Sequence, residues 1–229
     1  MCDKVQPPQA MLSSTVSALF RKSTIAAEVR NLSSIAEIYP VELALVKGAI
    51  LRRVIDFSGG RLCAREALSR LGIPDFPLLA GKDRMPHWPD SVVGSITHTT
   101  GYCAAVVAAY SNYLGIGIDA ELIGRVDREL WTYIFTDREI DWLSDLTAED
   151  QTTMATVLFS AKEAFFKCQY PITRKWLEFK DANLQITRNE FIVHIESHLL
   201  NREEELRGQF VLDGQLVITG IAYPYLVTA

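Results

Sequence analysis

Hydrophobic and polar positions change period along the chain, and the changes mark out blocks. Residues 1–39 show no sustained period. From Pro40 the run PVELALVKGAILRRVIDF repeats apolar residues at helical spacing, with proline in the first turn where its missing N–H costs nothing. Ser58, Gly59 and Gly60 predict a break or kink before RLCAREALSRLG, and Gly72 and Pro74 predict its end. Residues 74–90 are rich in proline, glycine and charge and read as loop. SVVGSITH, CAAVVAAY and LGIGIDAEL then read as short strands, with turn signals at Thr99–Gly101 and Ser111–Asn112. Helical spacing returns from Asp127 and is clearest in TAEDQTTMATVLFSAKEAFFKCQYP. There Met154, Leu158, Ala161, Phe165 and Cys168 fall on one face, Thr147 and Asp150 form a capping signal, and Pro171 predicts the stop. The tail alternates in ANLQITRNEFIVHIE and again in GQFVLDGQLVITGIAY, where Asp213-Gly214 signals a hairpin. Helices and strands in blocks favour an α+β fold over a doubly wound parallel sheet. The block order fits two similar halves, residues 1–120 and 121–229, acting as one functional unit.

Composition narrows the picture. With 229 residues, 48% hydrophobic and 22% charged, the chain suits a soluble globular protein of one large or two small domains. A net charge of -5 argues against a nucleic-acid partner, which calls for a basic excess. The four cysteines, Cys2, Cys63, Cys103 and Cys168, show no metal spacing and read as free thiols, mostly small buried hydrophobes. No apolar run is long enough to span a membrane and MLSSTVSALF lacks the layout of a signal peptide, so a cytoplasmic protein without stable membrane insertion is expected.

Three groups of residues carry candidate chemistry. In GIGIDAELIG, strand alternation places Ile116, Ile118, Ala120 and Leu122 on one side and Gly117, Asp119 and Glu121 on the other. Two neighbouring carboxylates repel each other, the more so when buried. Either that face is solvated, or the pair seats a hard cation such as magnesium. In FSAKEAFFK, Glu163 and Lys167 stand at the spacing of a surface ion pair; the sharper alternative has Glu163 joining Asp119 and Glu121 while the lysines meet phosphates. Arg53, Arg61 and Arg65 lie within one broad helix face, followed by Lys82 and Arg84 in the loop and His98 at a strand end. Guanidinium groups suit phosphate, although most helix arginines are merely solvated. No nucleophile elbow, Walker loop or complete dinucleotide fingerprint is present.

Together FSGGRLCAREALSRLG, MPHWPDSVVGSITHTTGYCAAVVA, LGIGIDAE and FSAKEAFFKCQYPITRKWLEF resemble, in order, the blocks of the Sfp-type 4′-phosphopantetheinyl transferases, most of all the enterobactin synthetase component D branch. GIDAE and the F-S-x-K-E-A-x-x-K pattern are the specific signatures. The resemblance implies a monomer of two similar α/β halves in a pseudo-twofold arrangement, with coenzyme A between them. It implies transfer of the phosphopantetheine arm to a serine of an acyl or peptidyl carrier protein, with release of adenosine 3′,5′-bisphosphate. By the same resemblance Asp119, Glu121 and Glu163 hold magnesium, with manganese the alternative. Glu163 is the general base, and Lys162 is a catalytic, phosphate-facing lysine. Arg53, Arg61, Thr97, His98, Lys167 and one or both of Lys82 and Arg84 bind coenzyme A. Arg174 and Lys175 are candidates for steering an acidic carrier. The branch leans towards siderophore or other secondary pathways. Two rivals stand beside this reading: another magnesium-dependent phosphate-ester enzyme, and a carrier-binding module without activity.

Overall fold

The computed structural model describes residues 8–20, 23–195 and 205–225; Cys2 lies outside them. In chain order the elements are β1 (Met11–Leu12), α1 (Ser14–Ser17), β2 (Ile25–Arg30), α2 (Pro40–Leu43), α3 (Leu51–Arg70), β3 (Val92–Thr99), β4 (Tyr102–Ala109), β5 (Tyr113–Leu122), α4 (Trp131–Ile134), α5 (Asp137–Ser144), α6 (Ala148–Thr173), β6 (Ala182–Thr187), β7 (Glu190–Ile195), β8 (Leu206–Asp213) and β9 (Leu216–Pro224). They form two antiparallel sheets, ordered β1-β2-β4-β3 and β5-β9-β8-β7-β6. The fold is α+β, and each sheet carries one long helix, α3 on the first and α6 on the second. The chain leaves the first sheet at β4 and enters the second at β5, so a line at 120/121 falls inside β5.

Three layers of apolar contact hold this together. Cys63 and Leu68 of α3 pack on Ala27, Cys103, Ala105 and Val107 of the first sheet. Leu158 and Phe165 of α6 pack on Phe191, Phe210 and Val217 of the second. Between the sheets, Ala104 and Val106 of β4 meet Ile116, Ile118 and Ala120 of β5 and Ile218 of β9. Thus β4 is covered on both faces, which is why CAAVVAAY is a continuous apolar run rather than an alternating one.

The helix expected from Pro40 onward is built differently. It stops after one turn, passes through a 3₁₀ segment (Ala44–Val46) and turns at Gly48, whose φ of 77° suits glycine. The chain restarts as α3, which runs unbroken through Ser58, Gly59 and Gly60. Those glycines do not break the helix; they let it approach the sheet. A Cβ at Gly59 would collide with Leu32 and the Cys103 thiol, and one at Gly60 with Ile96. The end of α3 matches expectation: Ile73 N–H reaches Leu68 O and Gly72 N–H reaches Ser69 O, a Schellman closure with Gly72 at φ 88°.

Thr147 caps α6 by accepting from the Asp150 N–H. Pro171 does not stop it. The helix continues to Thr173 and ends at Arg174, a left-handed residue at φ 57°. The alternating run 182–195 is a hairpin in its own right, turning at Arg188 (φ 51°), and β8–β9 turns at Gly214 (φ 61°).

Candidate active site

The two sheets meet edge to edge, β3 against β5, and side-chain hydroxyls stand in for a backbone ladder. Ser95 Oγ accepts the Ile118 N–H at 3.1 Å and Thr97 Oγ1 accepts the Ala120 N–H at 2.9 Å. These edge groups would otherwise be buried without partners. Thr97 also donates to Asp119 Oδ1 at 3.1 Å. The Thr97 hydroxyl is thus engaged in the seam, donating to Asp119 and accepting from Ala120, while the residue itself lines the cleft above it.

On the other face of β5, α6 lies directly on the backbone. A Cβ at Gly117 would run into the Ala164 carbonyl, and one at Gly115 into that of Cys168. This close approach sets Glu163 and Lys167, one turn apart, along the Asp119–Glu121 side of the strand. Lys167 does not pair with Glu163 across the helix surface. Its Nζ bonds Asp119 Oδ1 at 2.6 Å and Ile118 O at 3.3 Å. Burial, helped by the charge of Asp119, pushes Glu121 up to about 7. Burial also raises Glu163, against the pull of Lys167.

A cleft of about 1370 Å³ lies over the seam, between α3 and α6. Its acidic wall carries Asp119, Glu121, Glu163 and Lys167; its basic wall carries Arg53, Arg61, His98 and Arg84. Arg53 Nη1 donates to His98 Nε2 at 3.0 Å, which fixes Nε2 as the unprotonated ring nitrogen. Burial lowers the His98 pKa, against the attraction of Asp56. Arg61 stacks over Phe57 at 4.3 Å, and its buried Nε stands 3.9 Å from Glu42 Oε1, too far for a hydrogen bond, and has no other hydrogen-bond partner. Burial brings it down to about 10. Such a cation, undersupplied with acceptors, is suited to an incoming anion. Arg65 turns away, towards Tyr39, Glu42 and the Glu37 carbonyl. Of the two loop candidates Arg84 lines the cleft and Lys82 does not. Arg174 sits at the rim in an ion pair with Asp83 at 3.3 Å.

Lys162 stands apart from Glu163 and lines a smaller pocket beside the cleft. It is not on the cleft's acidic wall. Its Nζ donates to Phe179 O (2.7 Å) and Ala182 O (2.6 Å) and pairs with Glu139 (2.9 Å), all three N–H groups being used. Glu139 in turn caps α5 through a capping box with Thr136 and accepts the Leu184 N–H. Adjacent helix residues diverge by about 100°, so Glu163 in the cleft puts Lys162 beside it, towards β6. The connection of this capping box to Lys162 gave no sequence signal. Three further residues of the site, Asp56, Glu42 and Asp83, gave no sequence signal.

Asp119 Oδ2 is buried and has no hydrogen-bond partner. An orphaned carboxylate oxygen with two more carboxylates in electrostatic reach is an all-oxygen donor set that fits a hard divalent cation. As they stand, no three His, Cys, Asp or Glu side chains among the described residues are gathered closely enough to hold a metal. Asp119 holds the Lys167 ammonium instead. Next to this wall lies the smaller pocket, of about 230 Å³, whose lining includes Lys162, Glu163, Phe166, Trp176, Leu177 and Phe179.

Comparison with known proteins identifies the family. Residues 41–108 match the family model described as the 4′-phosphopantetheinyl transferase N-terminal domain, and residues 115–216 that of the 4′-phosphopantetheinyl transferase superfamily. The two matches part at the turn between β4 and β5. 4′-Phosphopantetheinyl transferase Svp of Streptomyces mobaraensis is 41% identical over 150 residues, 65% of this chain and 61% of Svp. The chain thus spans less than two thirds of that relative. PptT of Mycobacterium tuberculosis is 33% identical over 198 residues, 80% of this chain and 84% of PptT. Enterobactin synthase component D of Escherichia coli K12 is 29% identical over 164 residues, 70% of this chain and 76% of that protein.

Proposed function

The chain belongs to the 4′-phosphopantetheinyl transferase superfamily, and from that premise we propose that it moves the phosphopantetheine arm of coenzyme A onto a serine of an acyl or peptidyl carrier protein. The observation that supports this best is the division of charge in the cleft. A cationic wall of Arg53, Arg61 and Arg84, with neutral His98 among them, faces an anionic wall of Asp119, Glu121 and Glu163. A polyanionic substrate suits the first wall, and the second suits a cation bound against that substrate's pyrophosphate.

Each group then has a task. Arg61 and Arg84 hold phosphate oxygens, and His98, kept neutral with Arg53 on its Nε2, helps orient them. Asp119, Glu121 and Glu163 would hold magnesium, or manganese in its place, which would supply neutralisation of charge on the pyrophosphate. Glu163 takes the proton from the carrier serine. The serine oxygen forms a bond to the β-phosphorus. The bond from that phosphorus to the bridging oxygen breaks, and adenosine 3′,5′-bisphosphate leaves with the electron pair. Such a transfer depends mostly on positioning and charge stabilisation. The apolar pocket bounded by Phe166, Trp176 and Leu177 suits the aliphatic arm that stays with the transferred phosphorus. The protein acts as a monomer, and its carriers belong to siderophore or related secondary pathways.

Intact-mass spectrometry tests this. With coenzyme A, magnesium and a panel of apo carriers, one carrier should gain one phosphopantetheine arm, and a chelator should abolish the gain. Glu163→Gln should lower the rate by at least about a hundredfold, the scale of a lost general base, with unchanged circular dichroism. Release of free phosphate with no carrier gain would instead identify a hydrolase.

A further inference from the structure

The acidic wall already has a cation of its own. Lys167 Nζ lies 2.6 Å from Asp119 Oδ1, and that same oxygen takes the Thr97 hydroxyl at 3.1 Å. The other oxygen, Oδ2, is buried and bare. One carboxylate is thus divided between a resident ammonium and a vacant acceptor. Lys167 cannot be carried away by its backbone, because it stands well inside the 26-residue helix α6 and that helix is pressed onto β5 at Gly117 and Gly115. Its positive charge also reaches Glu121 and Glu163. A divalent cation arriving at Oδ2 meets the ammonium at close range, within a partly buried site where screening is weak.

We infer that Lys167 is the resident counter-cation of the acidic wall and makes divalent-cation binding conditional on an anionic phosphate ligand. This rests on the metal-holding role proposed for Asp119, Glu121 and Glu163. Without a phosphate, the divalent cation competes with Lys167 for the same three carboxylates. With a pyrophosphate in the cleft, its oxygens supply the negative charge that both cations need, and the side chain of Lys167, 29% exposed, can turn to meet it. Metal and phosphate ligand therefore bind with positive coupling, and by linkage each raises the affinity of the other by the same factor. A surface ion pair of purely structural value has no such consequence.

The probe is Mn²⁺, followed by electron paramagnetic resonance on the full chain with and without coenzyme A and no carrier, so that no turnover occurs. In the unsubstituted protein saturating coenzyme A should tighten Mn²⁺ binding by about tenfold or more, within the usual range of coupling between ligands. In Lys167→Met the affinity of the ligand-free chain should rise by a similar factor, and the enhancement by coenzyme A should shrink to the part that the pyrophosphate oxygens contribute by their own attraction for the cation. Lys167→Gln, which keeps a donor for Asp119 Oδ1 but no charge, should behave in the same way and serves if the Met variant does not fold. Coupling in the unsubstituted protein that survives unchanged in a folded charge-free variant overturns the role of Lys167. Absence of Mn²⁺ binding even with coenzyme A bound overturns the metal seat itself, and this inference with it.

Discussion

Asp119 and Lys162 show how far a single side chain can be read in advance. The two-residue alternation of β5 was enough to pair Asp119 with Glu121 and to turn both away from the apolar face. Lys162, next to Glu163 in the F-S-x-K-E-A-x-x-K pattern, was expected to share its task, yet it is the buried anchor of α6. Sequence adjacency says nothing about which side of a helix faces a cleft. Removing one partner of a buried ion pair leaves a bare charge, at a cost of about 3–5 kcal/mol. Lys162→Met should therefore lower stability by that order in urea denaturation. Glu139→Gln should cost less, and the double variant less than the sum of the two. A catalytic lysine would show the opposite pattern, with activity lost and stability kept. His98 makes a pH-dependent contribution. Its folded pKa lies below the ordinary 6.5, so in that window the unfolded chain binds more protons and stability rises with pH. The His98 contribution is present above 6.5 and is lost as the pH falls below it. His98→Asn should flatten the difference in stability between about pH 5 and pH 7, measured by denaturant midpoints across that range.

Glycine and proline misled at the level of elements because they were read as punctuation. Gly59 and Gly60 lie inside α3, where what they provide is the absence of a side chain against Leu32, Cys103 and Ile96. Pro171 lies inside the last turn of α6. A short-range pattern records what a residue does to its own backbone; it does not record what another element needs from it. The strands β3, β4 and β5 were legible because their apolar runs and turn glycines are local. β2 was missed in the unpatterned first 39 residues, and the β6–β7 hairpin was hidden within one alternating run that turns at a non-glycine residue. Gly117 gives the sharpest test of element packing. A methyl group there must push α6 off β5. Gly117→Ala should lower stability by about 1–3 kcal/mol, the cost of overpacking, and should move Lys167 away from Asp119. The same change at Gly214, which has nothing within 4 Å, acts only through its left-handed φ and leaves that contact intact. The Nζ signal of Lys167 in nuclear magnetic resonance distinguishes the two.

For the molecule as a whole, the seam between the sheets decides where chemistry can occur. The α+β class and the acidic residues could be read from periods and motifs, but the meeting of β3 and β5 could not, because it is made by two hydroxyls rather than by a ladder. Thr97→Val removes a buried hydroxyl that serves Ala120 N–H and Asp119 together. The expected cost is about 1–3 kcal/mol from unpartnered groups, read from the denaturation midpoint, with weaker divalent-cation binding in parallel. The same joint ties the site to the order of assembly. Asp119 is a residue of the second sheet that receives one hydrogen bond from the first sheet and another from α6. Neither half contains the finished carboxylate. A chain emerging from synthesis, or one whose sheets have come apart under heat, holds only an ordinary solvated aspartate there. The environment of Asp119 therefore exists only once both sheets and α6 have come together, and it reports that folding has finished.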